Sequence, residues 1–240
     1  MPIGQVAFAS GFSSLRRFND AFGGRYGMPP TRFRKSADGA TATAGSSDSF
    51  TLQLSWRSPF DWAGLTRFLA ARAMKGVERM HEDSYVRTVR LGAHRGWIRV
   101  RNAPERRALL VELTHSLVPV LPALLGRLRH LFDLGARPDV IAAHLARDAR
   151  LADSVARNPG LRVPGAFDAF ELGVRAILGQ QITVKGATTL AGRFVGAFGE
   201  PIETPYDGVE RLSPTPEGVA GATQEEVAAV GIVRERGRSI

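Results

Sequence analysis

The chain has 240 residues, a hydrophobic content of 44% and a formal net charge of +9 at pH 7. More than half of the positive excess lies in residues 1–36, which favours a polyanionic partner, and the length suits one or two globular domains. The lack of cysteine excludes a disulfide framework and a thiolate metal site, and no apolar run reaches the roughly 18 residues of a membrane span, so we expect a soluble, cytoplasmic protein.

Residues 3–35 have the pattern of two short helices that join at Gly11. Ser13 can cap the second helix, whose apolar positions recur at helical spacing and whose first turns are basic. A basic first turn after a glycine turn is typical of a helix-turn-helix that enters the major groove. An ordinary helix pair with a solvated basic face fits the spacing equally well. The candidate DNA-binding residues are Ser13, Ser14, Arg16 and Arg17.

The segment GFSSLRRFNDAFGGRYGMPPTRFRK, residues 11–35, resembles the second helix-turn-helix of AraC-type transcription regulators. The resemblance implies double-stranded DNA as a partner. It covers only one of the two helix-turn-helix modules that such a DNA-binding domain usually has. Residues 37–49 are small and polar, so they predict a flexible linker.

Residues 50–113 predict an antiparallel sheet with one helix. The stretch from Phe50 to Trp56 alternates apolar and polar residues, two further strands flank a turn at Gly92–Gly96, and Ala108–Leu113 adds another. Asp61 can cap a helix that runs from Trp62 to about Lys75. The strand arginines are interpreted as a solvated sheet face: Arg87, Arg99 and Arg101.

Residues 117–151 predict one or two helices, with Pro138 at a first helical position. The five histidines, at positions 81, 94, 115, 130 and 144, are scattered and show no metal-ligand spacing. We therefore expect no metal site.

Residues 167–199 predict two helices that meet at Gly179-Gln180-Gln181. Asp168 suits the N-cap of the first helix, and Gly199 suits the C′ position of the second. Two adjacent amides add nothing to apolar packing, but at an exposed junction they could read base edges or fill a gap in a stack. A solvated helix end that happens to carry two glutamines is the alternative.

The segment VRAILGQQITVKGATTLAGRFVGAFG, residues 174–199, resembles the part of the helix-hairpin-helix DNA glycosylases that precedes the hairpin, most of all in the 3-methyladenine DNA glycosylase II (AlkA-like) branch. The likeness extends through residues 50–101 and 131–164. It implies that Gln180 lies near a flipped nucleotide and that Gln181 is the wedge that fills the vacated space.

The same resemblance implies that Phe68 belongs to the base pocket. An aromatic face attracts the positive charge of an alkylated purine by about 0.5–2 kcal/mol. The pattern alone favours Phe68 as plain helix core, and with the resemblance the two interpretations are about equal.

The sequence departs from that family in two respects. The family has a Pro-Gly-x-Gly hairpin and, shortly after it, a catalytic Asp; neither motif occurs in these 240 residues. We therefore expect the Asp to lie beyond Ile240 and assign no catalytic residue within the chain.

These observations lead to one set of expectations. The fold is α+β: a helix-turn-helix remnant at 1–36, a linker at 37–49, a mixed domain with an antiparallel sheet at 50–130, and a helical glycosylase domain at 131–240 that is incomplete at its C-terminus. The expected function is release of alkylated bases from duplex DNA by base flipping, without a cofactor, by a monomer. An AraC-type regulator and an inactive fragment are the alternatives.

Overall fold

The computed structural model describes residues 3–9, 12–26, 29–31 and 49–231. Near the N-terminus, helices α1 (Ile3–Ala9) and α2 (Leu15–Tyr26) form the expected pair. The hydroxyl of Ser14 accepts a 3.2 Å hydrogen bond from the backbone N–H of Arg17, so Ser14, rather than Ser13, caps α2. Gly11 and nearly all of the predicted linker lie outside the described residues.

Five strands form one antiparallel sheet in the order β1-β5-β4-β3-β2. Their bounds are Ser49–Ser55 (β1), Glu78–His81 (β2), Ser84–Leu91 (β3), His94–Ala103 (β4) and Ala108–Thr114 (β5). The predicted sheet is confirmed, and β2 is an additional strand that the sequence pattern did not indicate. Leu91 pairs with His94 across a tight turn in which Gly92 has a φ of +59°, a conformation that glycine adopts without steric cost.

Helix α3 (Trp62–Ala71) covers one face of the sheet. Its N-cap is Asp61, as predicted, with the carboxylate accepting a 2.8 Å hydrogen bond from the N–H of Gly64. The helix ends earlier than Lys75. The largest apolar core lies between the sheet, α3 and helix α4 (Leu121–Leu131), and includes Leu52, Leu65, Ile98, Val111, Leu124, Leu128 and Phe132.

The remaining helices follow in chain order. They are α5 (Pro138–Leu145), α6 (Ala149–Arg157), α7 (Ala169–Leu178), α8 (Val184–Phe198), α9 (Pro216–Ala220) and α10 (Gln224–Ala229), with 3₁₀ turns at Pro104–Arg106 and His115–Val120. A second core joins α7 and α8 to the segment before β2, and contains Met74, Val77, Val174, Leu178, Phe194 and Val195. Within the described ranges, no helix combines the length and apolar character needed to cross a bilayer.

The ends of α7 and α8 are set by different means. Asp168 caps α7 as predicted, since its carboxylate accepts a 3.1 Å hydrogen bond from the N–H of Glu171. Gly199 follows α8, but its φ of −79° is not the left-handed conformation of a C′ glycine. A Cβ there would lie 2.6 Å from the carbonyl oxygen of Val195 and 2.7 Å from that of Leu212. The close approach of two backbones therefore accounts for this glycine.

The segment after α8 returns to the sheet. Val209 forms an isolated bridge with Gly76, and Tyr206 and Val209 pack against Val86 of β3. The architecture is thus α+β, with a five-stranded antiparallel sheet and several helices that enclose two main apolar cores.

Candidate functional site

A cavity of about 740 Å³ lies between α3, the segment before α7, and the α7–α8 pair. Most of its walls are apolar, and its lining includes Phe68, Leu69, Val163, Phe167, Leu172, Gly179, Ile182, Val184 and Ala187. The volume falls within the range of small-molecule and cofactor sites.

Phe68 lies at this cavity on α3. Its side chain is 42% exposed, so it is not a buried core residue of the helix. The guanidinium carbon of Arg72, one helical turn further on, lies 3.8 Å from the centre of the Phe68 ring. One face of the ring is therefore stacked on a cation.

Gln180 and Gln181 lie at the junction between α7 and α8. Their neighbours Gly179 and Ile182 line the cavity, whereas the two glutamines do not. Both glutamines are exposed, and within the described ranges neither amide side chain makes a hydrogen bond. Gln181 has a φ of +55°, which is uncommon for a residue with a Cβ. The junction is therefore a solvent-facing tip beside the cavity, which we call the tip (Gly179–Ile182).

One wall of the cavity is ionic and buried. Arg87 of β3 is 2% exposed, and its Nη2 donates a 2.9 Å hydrogen bond to Glu171 of α7, which is 5% exposed. Its Nη1 lies 3.5 Å from Glu78 of β2. Arg175 of α7 contacts both carboxylates, at 2.9 Å from Glu171. These four side chains, two anions and two cations, are called the ionic wall.

Two further groups complete the ionic wall's surroundings. The hydroxyl of buried Tyr85 donates a hydrogen bond to Glu78. The guanidinium carbon of Arg87 also lies 3.9 Å from the centre of the Phe167 ring. Polar and aromatic partners therefore surround the charges that the fold has removed from water.

Mutual pairing sets the protonation of the ionic wall. Burial alone would raise the pKa of the Glu171 carboxyl, but Arg87 and Arg175 outweigh it and lower that pKa from 4.5 to about 2. Burial would lower the pKa of Arg87, yet Glu171, Tyr85 and Glu78 raise it. Burial and the nearby Glu78 raise the pKa of the Tyr85 hydroxyl well above 10.0. Glu171, Arg87 and Arg175 therefore stay charged at neutral pH.

The interpretation of Arg87 as part of a solvated sheet face was wrong. Strand β3 is buried along nearly its whole length because α7 and the segment after α8 cover it. The remaining strand arginines differ from it: Arg101 is exposed, and Arg99 keeps 29% of its side-chain surface and pairs with Glu82. The spacing of Glu171 and Arg175, four residues apart on a helix, was the signal in the sequence that could have indicated part of the wall.

Asp168 is the third carboxylate that lines the cavity. Besides capping α7, it lies 2.9 Å from Nη1 of Arg127. Each of the three cavity carboxylates in the described chain is thus engaged by a cation or a backbone donor. Among the described residues, no group of three His, Cys, Asp or Glu side chains is arranged to hold a metal ion.

The predicted DNA-binding residues of the N-terminal helix pair do not line the cavity. Ser13 and Arg17 are exposed, and the side chain of Arg16 is 92% exposed with its Nε 4.0 Å from Asp20. An exposed pair of this kind contributes little to stability, so Arg16 is available to other partners.

Comparison with known proteins identifies the relationship. Residues 51–168 match the family model described as the AlkA N-terminal domain. The chain is 36% identical over 188 residues to DNA-3-methyladenine glycosylase 2 of Escherichia coli, covering 78% of this chain and 64% of that protein. It is 37% identical over 224 residues to the "probable bifunctional transcriptional activator/DNA repair enzyme AlkA" of Mycobacterium tuberculosis, covering 92% of this chain and 44% of that protein. The chain therefore spans about half to two thirds of the length of these relatives.

Solved structures agree on the fold. A 3-methyladenine DNA-glycosylase from Archaeoglobus fulgidus superposes with a TM-score of 0.66 at 20% identity, over 78% of this chain and 63% of that one. An 8-oxoguanine glycosylase/lyase of Clostridium acetobutylicum, in complex with double-stranded DNA, superposes with a TM-score of 0.56 at 16% identity, over 80% and 60%. Residues 51–168 thus match the AlkA N-terminal domain, and most of the chain is similar in sequence to 3-methyladenine DNA glycosylase II.

Proposed function

We propose that this chain recognises alkylated bases in duplex DNA by extruding the damaged nucleotide, as part of a DNA glycosylase of the 3-methyladenine DNA glycosylase II type. The observation that carries the proposal is that Phe68 and the tip border the same cavity. The two features come from segments more than a hundred residues apart in the chain, and the resemblance to the glycosylases implies a role for each of them.

In this proposal the flipped base enters the cavity beside Phe68, and Gln181 fills the space that it leaves. Extrusion costs a few kcal/mol of lost stacking and pairing, and it costs least for a damaged or mispaired base. An amide with free donors and acceptors can bond to the bases that remain. The positive φ of Gln181 supports this assignment, because such backbone conformations cluster at sites that contact a ligand.

Hydrolysis of the glycosidic bond needs stabilisation of the positive charge that develops on the sugar. The three cavity carboxylates, Glu78, Asp168 and Glu171, are held by cations or backbone donors, so none of them is free to supply it. Losing that stabilisation costs several kcal/mol, or a factor of about 10³ or more in rate. We therefore expect these 240 residues to bind a lesion site well and to release bases slowly.

Fluorescence anisotropy with two duplexes tests recognition. One duplex contains a tetrahydrofuran abasic analogue, and the other has the same sequence undamaged. We expect the chain to prefer the abasic duplex by about tenfold or more, and Gln181→Ala to remove most of that preference, since a bidentate hydrogen bond from an amide to a base is worth about 1–3 kcal/mol.

Gln53→Ala is the matched control, because Gln53 is the same residue type on strand β1, away from the cavity. Equal preferences in the two variants, or no preference in the unmodified chain, would contradict the proposal. Counting abasic sites on methylated duplex measures hydrolysis separately. Rapid accumulation would show that one of the three engaged carboxylates acts after all.

A second function, DNA binding by an AraC-type module at residues 1–36, has its own support. The M. tuberculosis relative is named as both an activator and a repair enzyme. Its alignment covers 92% of this chain and therefore includes part of residues 1–36. We propose that Arg16 and Arg17 of α2 contact DNA phosphates or base edges there.

The double variant Arg16→Ala/Arg17→Ala should weaken binding to undamaged duplex and reduce the salt dependence of the binding constant by about two phosphate contacts. Arg150→Ala is the control, since its side chain is 88% exposed and also pairs with an aspartate. An unchanged salt slope in the double variant would mean that the helix pair has no DNA-binding role in this chain.

A further inference from the structure

We propose that Arg175 is a positioning residue that fixes the spacing between Phe68 and the tip. This inference rests on the proposed function, in which Phe68 lies beside the flipped base and the tip fills the space that the base leaves. Arg175 is not itself assigned a contact with DNA.

The side chain of Arg175 joins three elements. Nη1 donates a 2.5 Å hydrogen bond to the carbonyl oxygen of Arg72, at the C-terminal end of α3. Nη2 donates to Glu78 of β2, and Nη2 and Nε donate to Glu171 at 2.9 and 3.2 Å. A guanidinium can make these bonds together because its donors form a rigid planar fork.

The bond between Arg175 and Arg72 connects points that are one helical turn from the tip on one side and from Phe68 on the other. The carbonyl of Arg175 accepts a 2.9 Å hydrogen bond from the N–H of Gly179, the first residue of the tip. On the other side, Phe68 precedes Arg72 by four residues, and the two side chains stack. A change in the bond from Arg175 to Arg72 would therefore shift Phe68 relative to the tip.

Charge compensation alone does not account for this arrangement. Arg87 already lies 2.9 Å from Glu171 and 3.5 Å from Glu78, and the bond from Arg175 to the Arg72 carbonyl neutralises no anion. Arg175 also keeps 24% of its side-chain surface and lines the cavity, whereas Arg87 is buried. A lysine would keep the charge, but its single nitrogen could not span the three elements.

Spin-label distance measurements test the spacing without requiring DNA. The chain has no cysteine, so Ala70→Cys on α3 and Gly173→Cys on α7 place one label on each helix. Both positions are exposed, and a Cβ at Gly173 meets no atom within 4 Å. We expect one narrow distance distribution in the unmodified background and a distribution about twice as broad with Arg175→Lys. Arg150→Lys, a surface arginine paired with Asp148, should leave the distribution unchanged.

The binding assay gives the functional counterpart. Arg175→Lys should lower the preference for the abasic duplex about tenfold, because small displacements of a positioned group have large effects, while affinity for undamaged duplex changes less than about twofold. Unchanged distances together with an unchanged preference would overturn the inference. If the unmodified chain shows no preference, the proposed function fails, and the distance distributions still decide whether Arg175 sets the spacing.

Thermal melting of each variant distinguishes loss of folding from a change in the spacing between Phe68 and the tip. Should Arg175→Lys lose its cooperative melt, Arg175→Gln is measured instead; its shorter amide cannot span the three elements, so the same broadening and the same loss of preference are expected. If neither variant melts cooperatively, Arg175 is a general stabiliser of the fold, and its assignment as a positioning residue is wrong.

Discussion

The tip and the ionic wall border the same cavity but are built by opposite means. In the ionic wall, each charged group is buried or half-buried and meets partners from another element. At the tip, Gln180 and Gln181 are exposed, and Gln181 has an unfavourable backbone conformation. The difference indicates that the ionic wall holds the fold together around the cavity, whereas the tip contributes little to stability and is free to contact a partner.

Truncating the ionic wall is the strongest test of that contrast. Glu171→Ala leaves Arg87 and Arg175 with an uncompensated buried charge, so we expect the free energy of unfolding to fall by about 3–5 kcal/mol in urea denaturation. Glu82→Ala removes an exposed partner of Arg99 and should cost less than about 1 kcal/mol. Similar losses in the two variants would show that the ionic wall is no more important to the fold than a surface pair.

Lowering the pH should reduce the stability that the ionic wall provides. The pKa of Glu171 is about 2 in the folded chain against an ordinary value of 4.5, so between these values the unfolded chain binds more protons than the folded one. Stability from this group is therefore complete above about pH 4.5 and is lost as the pH falls towards 2. Urea midpoints across this window should decline less steeply in Glu171→Gln than in the unmodified chain, and Glu82→Gln should keep the original slope.

The sequence predicted the helix junction at the tip but not the ionic wall. The physical cause is that the tip depends on residues close together in the chain, whereas the ionic wall depends on residues far apart. The tip is specified by residues that lie close together in the chain: a helix cap at Asp168, and then a glycine and two amides, all of which are local signals. Arg87 and Glu171 are far apart in the chain, and each one alone resembles an ordinary surface charge. Their burial follows from the packing of α7 on the sheet, which no local pattern specifies.

In the fold as well, the sequence predicted features that local residues specify and did not predict features that depend on distant contacts. Alternation and turn residues predicted the hairpin of β3 and β4 and the cap at Asp61, whereas strand β2 has four residues and no clear alternation. Gly199 was expected to adopt a left-handed conformation at a helix end. The reason for this glycine is contact with the backbone at Leu212, which becomes visible only once the segment after α8 has returned to the sheet.

Gly196 within α8 and Gly199 just after it extend the contrast between packed and exposed positions to the backbone. Gly199→Ala would place a Cβ 2.6–2.7 Å from two carbonyl oxygens and should cost about 1–3 kcal/mol. Gly196→Ala lies inside α8, with no atom within 4 Å of the added carbon, and should stabilise the protein by about 0.5–1 kcal/mol. Melting temperatures of the two variants should therefore move in opposite directions. A loss at Gly196 would mean that this face of α8 is more tightly packed than the structure indicates.

The smallest expected effect on stability is at the tip itself. Gln181→Gly relieves the positive φ and removes no hydrogen bond within the described ranges, so the free energy of unfolding should rise by up to about 1 kcal/mol or stay unchanged. If Gln181 is a wedge, the same variant should lose its preference for an abasic duplex as fully as Gln181→Ala does. A residue that costs stability and supports binding fits a site that is shaped for a partner, whereas a variant that is more stable and binds equally well would reduce the tip to an ordinary helix junction. Measuring unfolding and binding on one preparation of Gln181→Gly therefore separates the two interpretations.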